Sequence, residues 1–330
     1  MSKEPGESTV SQIQPREVFM VLSAKSLPYA EKGIDSLFQH VREPVSLTLV
    51  TDGAADKAEI LQCVGKLSIP PQHSWRVYEQ SEADDRAEVV FAAQPNLRAF
   101  RFGHPCWRKI TDPLLFSAPG AEIIVLDPDL YFPNHFCFEP TPPTGLYLMW
   151  QPPSCLLPHE SVVRAYDIPV KLAHHVDIGV AQLRNNLDLD WLDRFVSDLG
   201  GTAIPRVMHV EAIVWAALAM RMGGGYFDPA HWYCWQYRQW KRVLLKLGMP
   251  GTRMLALESL STVKCFHASG IAKWWVKDAT DQHRFPPPRS IVESLPIQPF
   301  EDMPLATYQR DQSIKDWARK LGYYKIMKRS

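Results

Sequence analysis

The chain has 330 residues, enough for one large domain or two small ones, and its 46% hydrophobic and 22% charged residues are ordinary for a globular protein. Thirty-six basic residues balance 36 acidic ones, so the formal net charge is zero and no global field favours nucleic acid or an anionic surface. Six cysteines form no CxxC pair, which argues against a zinc knuckle and a dense disulfide framework and suits a reducing compartment.

Residues 1 to 15 are rich in Ser, Glu, Gln, Pro and Gly and read as a mobile tail with no apolar core of signal-peptide length. Val18 to Leu22 is a continuous apolar run of buried-strand type, Tyr29 to His40 has helical spacing, and Val45 to Val50 is a second strand ending in Thr51-Asp52-Gly53. That order predicts a parallel βαβ unit. A helix follows over Asp56 to Leu67, then a short strand at Trp75 to Tyr78, and partly helical chain from Ala83 to Phe102 interrupted at Pro95. No GxGxxG and no GxxxxGK[ST] occurs in this half, which disfavours a dinucleotide dehydrogenase and a P-loop NTPase.

The stretch Ala121 to Pro133 carries the first chemistry. Ile123 to Leu126 reads as a strand that ends in Asp127-Pro128-Asp129, and Pro128 cannot donate to a sheet ladder. The strand therefore delivers two carboxylates to its C-terminal edge, where open α/β sheets bind ligands. Two close carboxylates repel unless a cation lies between them, so a divalent metal carrying a diphosphate is the economical resolution. The alternative is ordinary turn chemistry, because Asp initiates turns and Pro presets φ.

Downstream, strands are expected at Leu146 to Trp150 and Val176 to Leu183, and helices at Asn185 to Leu199 and Val207 to Met222. The longest apolar helical stretch, Ala212 to Met222, is too short to span a bilayer and is broken by Arg221, so a soluble cytoplasmic protein is expected. Trp232, Trp235, Tyr237 and Trp240 form an aromatic cluster that suits packing better than a sugar-stacking platform. The segment Gln312 to Ser330 reads as a basic amphipathic helix, either docked on its own domain or touching a membrane peripherally.

A short strand, Thr262 to Phe266, leads into His267, with Gly270 and Lys273 three and six residues on. An imidazole is a competent borderline metal ligand, a glycine lets backbone approach a phosphate, and a lysine supplies a point charge for a leaving diphosphate. Each is weak alone; with Asp127 and Asp129 they make one coherent site.

With these two stretches in order, the chain resembles the GT-A glycosyltransferases, and most closely the family 8 type of retaining nucleotide-sugar transferases, which includes glycogenin-like and lipooligosaccharide galactosyltransferase-like enzymes. Asp127-Pro128-Asp129 matches the family's DxD motif, and His267, Gly270, Lys273 and the following Trp274-Trp275 match its H-x-x-G-x-x-K segment. Asp177-Ile-Gly179-Val180 matches an Asn-x-Gly-Val strand with Asp in place of Asn. The resemblance runs from about Val18 to Lys277; Pro128 replaces a small residue, Trp274 stands where Pro is common, and the family's Asp-Gln pair is absent, with Glu211 nearby.

The resemblance implies an α/β GT-A fold, a Rossmann-like mixed sheet flanked by helices, over residues 16 to 280; beyond it, residues 281 to 330 read by composition and spacing as a Pro-rich linker and a basic C-terminal helix. It implies Mn²⁺ or Mg²⁺ held by Asp127, Asp129 and His267, bridging the phosphates of a UDP-sugar. Ser23, Ala24 and Asp52 would lie near the nucleoside, Lys109, Gly270 and Lys273 near the phosphates or sugar, and Arg98 and Arg101 are lesser stand-ins for Lys109. Asp177 and Glu211 are candidates for orienting the sugar or acceptor, the acceptor being a glycan, lipid or protein hydroxyl, with retention at the anomeric carbon. Two rivals are a nucleotidyltransferase and a non-catalytic carbohydrate-binding or scaffold protein on the same fold.

Overall fold

The structure is a computed structural model, and it describes residues 14–152, 154–288 and 291–323. Its first half alternates strand and helix, with three helices in succession before the fourth strand. Strand β1 (Arg16–Val21), helix α1 (Leu27–His40), β2 (Val45–Val50), α2 (Ala54–Val64), β3 (Ser74–Tyr78), α3 (Gln80–Val90), α4 (Pro95–Arg101), α5 (Arg108–Phe116) and β4 (Glu122–Leu126) follow in order. The expected βαβ unit is present, with β1 parallel to β2, β3 parallel to β2 on its far side, and β4 parallel to β1. Pro95 opens α4 at a position where its missing N–H costs nothing, which splits the helical stretch before it in two.

The second half adds β5 (Leu130–Tyr131), β6 (His135–Phe136), β7 (Leu146–Trp150), α6 (His159–Asp167), β8 (Val176–Arg184), α7 (Leu189–Asp198) and α8 (Val210–Met222). Then come β9 (Gly224–Tyr226), β10 (Trp232–Cys234), α9 (Gln239–Lys246), α10 (Gly251–Leu255), β11 (Cys265–His267), α11 (Ala272–Asp281), β12 (Ile291–Val292), β13 (Gln298–Pro299) and α12 (Leu305–Lys320). The main sheet runs β3-β2-β1-β4-β8-β7-β10-β11-β5, with β9 and β13 attached beside β7. Because β8 lies antiparallel to both β4 and β7, the sheet is mixed.

Side-chain alternation along β4 divides the core between the two faces. Ile123 and Val125 point into a cluster with α3, α5, α7 and α8, whereas Ile124 and Leu126 point into a second cluster with α1 and α2. A third, smaller cluster under α9, α10 and α11 buries Trp235, Met254, Phe266 and Trp275. The aromatic cluster is divided by this packing: Trp232 is fully buried with its Nε1 donating to Glu139 Oε1 at 2.9 Å, while Tyr237 and Trp240 are exposed.

Several segment ends differ from the sequence expectation. Asp188 caps α7, its carboxylate accepting the Trp191 N–H at 2.9 Å, so that helix begins at Leu189 rather than at Asn185. The C-terminal helix begins at Leu305, directly after Pro304, not at Gln312. The segment expected as linker plus helix contributes β13 to the main sheet and buries Met303 and Tyr308 against the larger core. Ile314, Trp317 and Leu321 stay exposed; the basic Lys325, Lys328 and Arg329, like the expected N-terminal tail up to residue 13, lie outside the described residues. Among the described residues no helix is long and apolar enough to cross a membrane.

One glycine controls how α1 meets the rest of the sheet. A Cβ on Gly33 would sit 2.4 Å from the Leu130 backbone oxygen, so α1 rides directly on the chain that follows Asp129. In a helix, Ala ordinarily gains ~1 kcal/mol over Gly. Here the obstacle is backbone that cannot swing aside, and overpacking of this kind costs ~1–3 kcal/mol. Gly33→Ala is therefore expected to lower stability in urea unfolding; a stabilised variant would show that α1 does not seat on β5 as described.

Candidate active site

Strand β4 is buried along Ile123 to Leu126, and at Asp127-Pro128-Asp129 the chain leaves the sheet briefly before returning as β5. β5 pairs antiparallel with β11, placing Phe266 opposite Tyr131 and His267 opposite Leu130. The ladder continues one step beyond the strands, the Ala268 N–H donating to the Asp129 carbonyl at 3.0 Å. Two segments distant in sequence are thus fixed by backbone hydrogen bonds. His267 Nε2 comes to lie 3.3 Å from Asp129 Oδ1 and 3.9 Å from Asp127 Oδ2.

The imidazole is aimed from behind. His267 Nδ1 donates to the Asp177 carboxylate at 2.9 Å, and the same carboxylate accepts the Gly179 N–H at 3.0 Å. Gly179 also supplies room, since a Cβ there would lie 2.6 Å from His267 Nδ1, and its carbonyl accepts the Asp127 N–H at 2.8 Å. The Asp-x-Gly segment of β8 therefore orients the ring and fixes the first acid. Asp177 is 1% exposed and stands behind the imidazole, outside the lining of the pocket described below.

The electrostatics follow from burial and close charges. Burial alone would push His267 down, but Asp177 and Asp129 outweigh it and hold its pKa well above the ordinary value. Burial would likewise raise Asp129, yet His267 and then Lys273 bring it below the usual carboxylate range. Asp127 stays raised by burial, against the pull of Lys109 and with the charge of Asp129 adding to the rise. Lys109 Nζ lies 2.6 Å from Asp127 Oδ1 and also contacts Glu211, on the first turn of α8. Burial lifts Glu211 to about 8 despite that lysine.

The paired acids open onto a pocket of ≈ 480 Å³ at the C-terminal ends of β1, β2 and β4. Of the residues expected near a donor, Ser23, Asp52, Lys109, Asp127, Asp129 and Lys273 line it together. Ala24 lies behind this wall, its N–H donating to Asp56 Oδ2 at 2.9 Å. Gly270 takes a positive φ of 66° in the turn between β11 and α11, with open space where a Cβ would be, and Lys273 follows in the first turn of α11. Lys273 Nζ is 3.8 Å from Asp129 Oδ2 and 4.6 Å from the Tyr29 ring centroid.

Two stand-ins lie elsewhere. Arg101 is buried between Asp112 and Asp84, and Arg98 pairs with Glu88, so neither reaches the pocket. The arginine that does approach is Arg108, which sequence reasoning missed: its guanidinium holds Asp52 Oδ1 at 2.9 Å and the Thr51 carbonyl at 3.1 Å. Its position four residues before Asp112 on one helix face was the available signal. Lys25, Tyr29, Cys106 and Met208 also line the pocket and carried no recognisable pattern.

The donor set fits a divalent cation. Two carboxylates and one imidazole offer oxygen and nitrogen atoms that all lie within 4.8 Å of one another, a combination suited to Mn²⁺ or Mg²⁺. Asp177 completes the carboxylate–imidazole pairing that fixes a metal-binding ring and leaves Nε2 facing the acids. In an overlapping set, Asp177, Cys234 and His267, the Asp177 carboxylate is already taken by His267 Nδ1, and burial pushes the Cys234 thiol up.

If Asp177 and Gly179 act by aiming the ring, Asp177→Asn and Gly179→Ala should each weaken Mn²⁺ binding about 10- to 100-fold, with thermal melting showing both variants folded. Calorimetric titration gives the affinity, and wild-type affinity in both variants would remove this role.

No protein-family model matches the chain, and no curated protein matches it. Among solved structures it is similar to the apo form of mouse xyloside xylosyltransferase 1, with a TM-score of 0.50 and 12% sequence identity over 77% of this chain and 97% of that one. The mixed sheet, the helices on both its faces and this structural likeness together give the chain a GT-A-type glycosyltransferase fold.

Proposed function

We propose that the chain is a metal-dependent glycosyltransferase of the family 8-like kind, moving a sugar from a nucleotide-sugar donor, a UDP-sugar, to the hydroxyl of a glycan, lipid or protein acceptor. The single observation that carries this is that Asp127 and Asp129, which line a pocket together with Ser23, Asp52 and Lys273, converge on the His267 imidazole just behind them. Asp127, Asp129 and His267 would hold Mn²⁺ or Mg²⁺, which when bound neutralises charge on the departing diphosphate.

The remaining roles follow from position. Asp52, steadied by Arg108, stands at the end of β2 where a carboxylate can accept ribose hydroxyls, and Ser23 and Lys25 flank it. The open backbone at Gly270 and the N-terminus of α11 favour a phosphate, and Lys273 adds a positive charge that strengthens its contact as negative charge builds on the leaving group. Lys109 balances Asp127 and lies within reach of the donor.

Asp177 and Glu211, considered as catalytic carboxylates, are occupied in holding His267 and Lys109, so we assign them to positioning. Transfer then needs no protein nucleophile. The acceptor oxygen bonds to the anomeric carbon on the face from which the diphosphate departs, the glycosidic C–O bond to phosphate breaks, and the released phosphate oxygen takes the acceptor's proton. That course retains the anomeric configuration.

Thermal shift and donor hydrolysis, measured across nucleotide sugars with and without Mn²⁺, test the assignment. Asp129→Asn is expected to reduce metal-dependent turnover on the order of 100-fold or more while the protein stays folded. Lys273→Ala should lower kcat on the order of 100-fold with Mn²⁺ affinity kept. Wild-type turnover in Asp129→Asn, or donor binding indifferent to the metal, would overturn the proposal and favour a non-catalytic binding protein.

A further inference from the structure

Away from the pocket, a second set of ligating side chains gathers where the C-terminal segment meets the start of β8. Residues 172 to 174 run antiparallel to residues 301 to 303: the His174 N–H donates to the Glu301 carbonyl at 2.8 Å and the Met303 N–H to the Leu172 carbonyl at 2.9 Å, with Ala173 opposite Asp302. The Tyr226 hydroxyl also donates to the His174 carbonyl. The two backbones are therefore held in register before any side chain acts.

In extended chain, adjacent side chains point to opposite sides. His175 breaks that rule through a positive φ of 53°, a conformation that costs ~1–2 kcal/mol outside glycine. Its effect is to bring the rings of His174 and His175 together at 3.7 Å between centroids. Glu301 closes the group, so that one nitrogen from each ring and a Glu301 oxygen all lie within 4.8 Å of one another.

The second ring is preset for a cation. Gln151 O can only accept, so the 3.2 Å contact from His175 Nδ1 puts the hydrogen on that nitrogen and leaves Nε2 of the neutral ring with its lone pair. Among the described residues the His174 ring makes no hydrogen bond, its contact being the stack on His175. Turning is required, because a metal sits in the plane of each imidazole and stacked rings must fan apart to share one.

We propose that His174, His175 and Glu301 form a zinc site that clips the C-terminal segment to the start of β8. Two imidazoles and a carboxylate are a standard three-protein-ligand set for Zn²⁺, with a fourth position for water. The clip has a mechanical purpose. In α12, Tyr308 is the single buried residue, so the helix is tied to the core chiefly at its beginning, a few residues beyond Glu301. A metal bond across the 172–303 ladder would resist peeling of that segment from the sheet.

The full chain is titrated with zinc alone against a chromophoric chelator, as wild type and as Asp129→Asn, His174→Ala and Glu301→Gln. Wild type should hold one zinc equivalent that survives Asp129→Asn and is weakened at least about tenfold by His174→Ala and by Glu301→Gln. Zinc should also slow tryptic cleavage at Arg310, Lys315 and Arg319 in wild type, and not in Glu301→Gln, whose substitution is at an exposed position and is not expected to unfold the protein. Zinc affinity unchanged in His174→Ala and Glu301→Gln, all zinc lost in Asp129→Asn, or cleavage indifferent to zinc would each overturn the clip. Loss of donor turnover in Asp129→Asn tests the transferase assignment separately, since that variant keeps the clip ligands.

Discussion

Three carboxylates, Asp127, Asp129 and Asp177, converge on one imidazole in a place from which water is largely excluded. Burial disfavours every charge there, and mutual repulsion disfavours the acids further, so such a cluster persists only if positive charge is supplied between them. The protein supplies some of it through Lys109 against Asp127, Lys273 near Asp129, and a proton on His267. A divalent cation at the same point satisfies the same requirement with more charge and without a proton. The site is thus organised by an electrostatic demand that the fold creates.

Meeting that demand depends on backbone. The β5–β11 ladder sets the distance between His267 and Asp129, and the Gly179 carbonyl fixes the start of the Asp127 turn. Gly33 and Gly179 make the arrangement possible by having no side chain, one beneath the chain that follows Asp129 and the other beneath the imidazole. Behind these contacts the sheet is buried on both faces, so the segments carrying the acids and the ring have little freedom to drift apart. A rigid frame of this kind is what an electrostatic mechanism requires, because donors and charges act strongly only when they need not reorganise.

Much of the frame was legible in the sequence. The βαβ opening, the apolar run ending at Asp127-Pro128-Asp129 and the His267–Gly270–Lys273 spacing are local patterns, and local patterns follow from side-chain periodicity and turn chemistry. What misled was the fate of buried charge. Arg101 and Arg108 are both basic residues ahead of the metal strand, yet one is locked between Asp84 and Asp112 while the other steadies Asp52 at the pocket, a difference made by packing alone. Asp177 was a candidate for orienting the sugar or acceptor, and its burial behind His267 emerges only when β8 is laid beside β4.

By itself the sequence determined which groups could do chemistry and roughly which strands would present them: two acids at a strand end, an imidazole after another strand, and a glycine and lysine following it. Only the tertiary structure decided that these meet, that Asp177 and Gly179 aim the ring, that Glu211 braces Lys109, and that His174 and His175 face Glu301. The reason is physical: periodicity and turns are properties of neighbouring residues, whereas the distance between two charges and the water left around them depend on how remote segments pack.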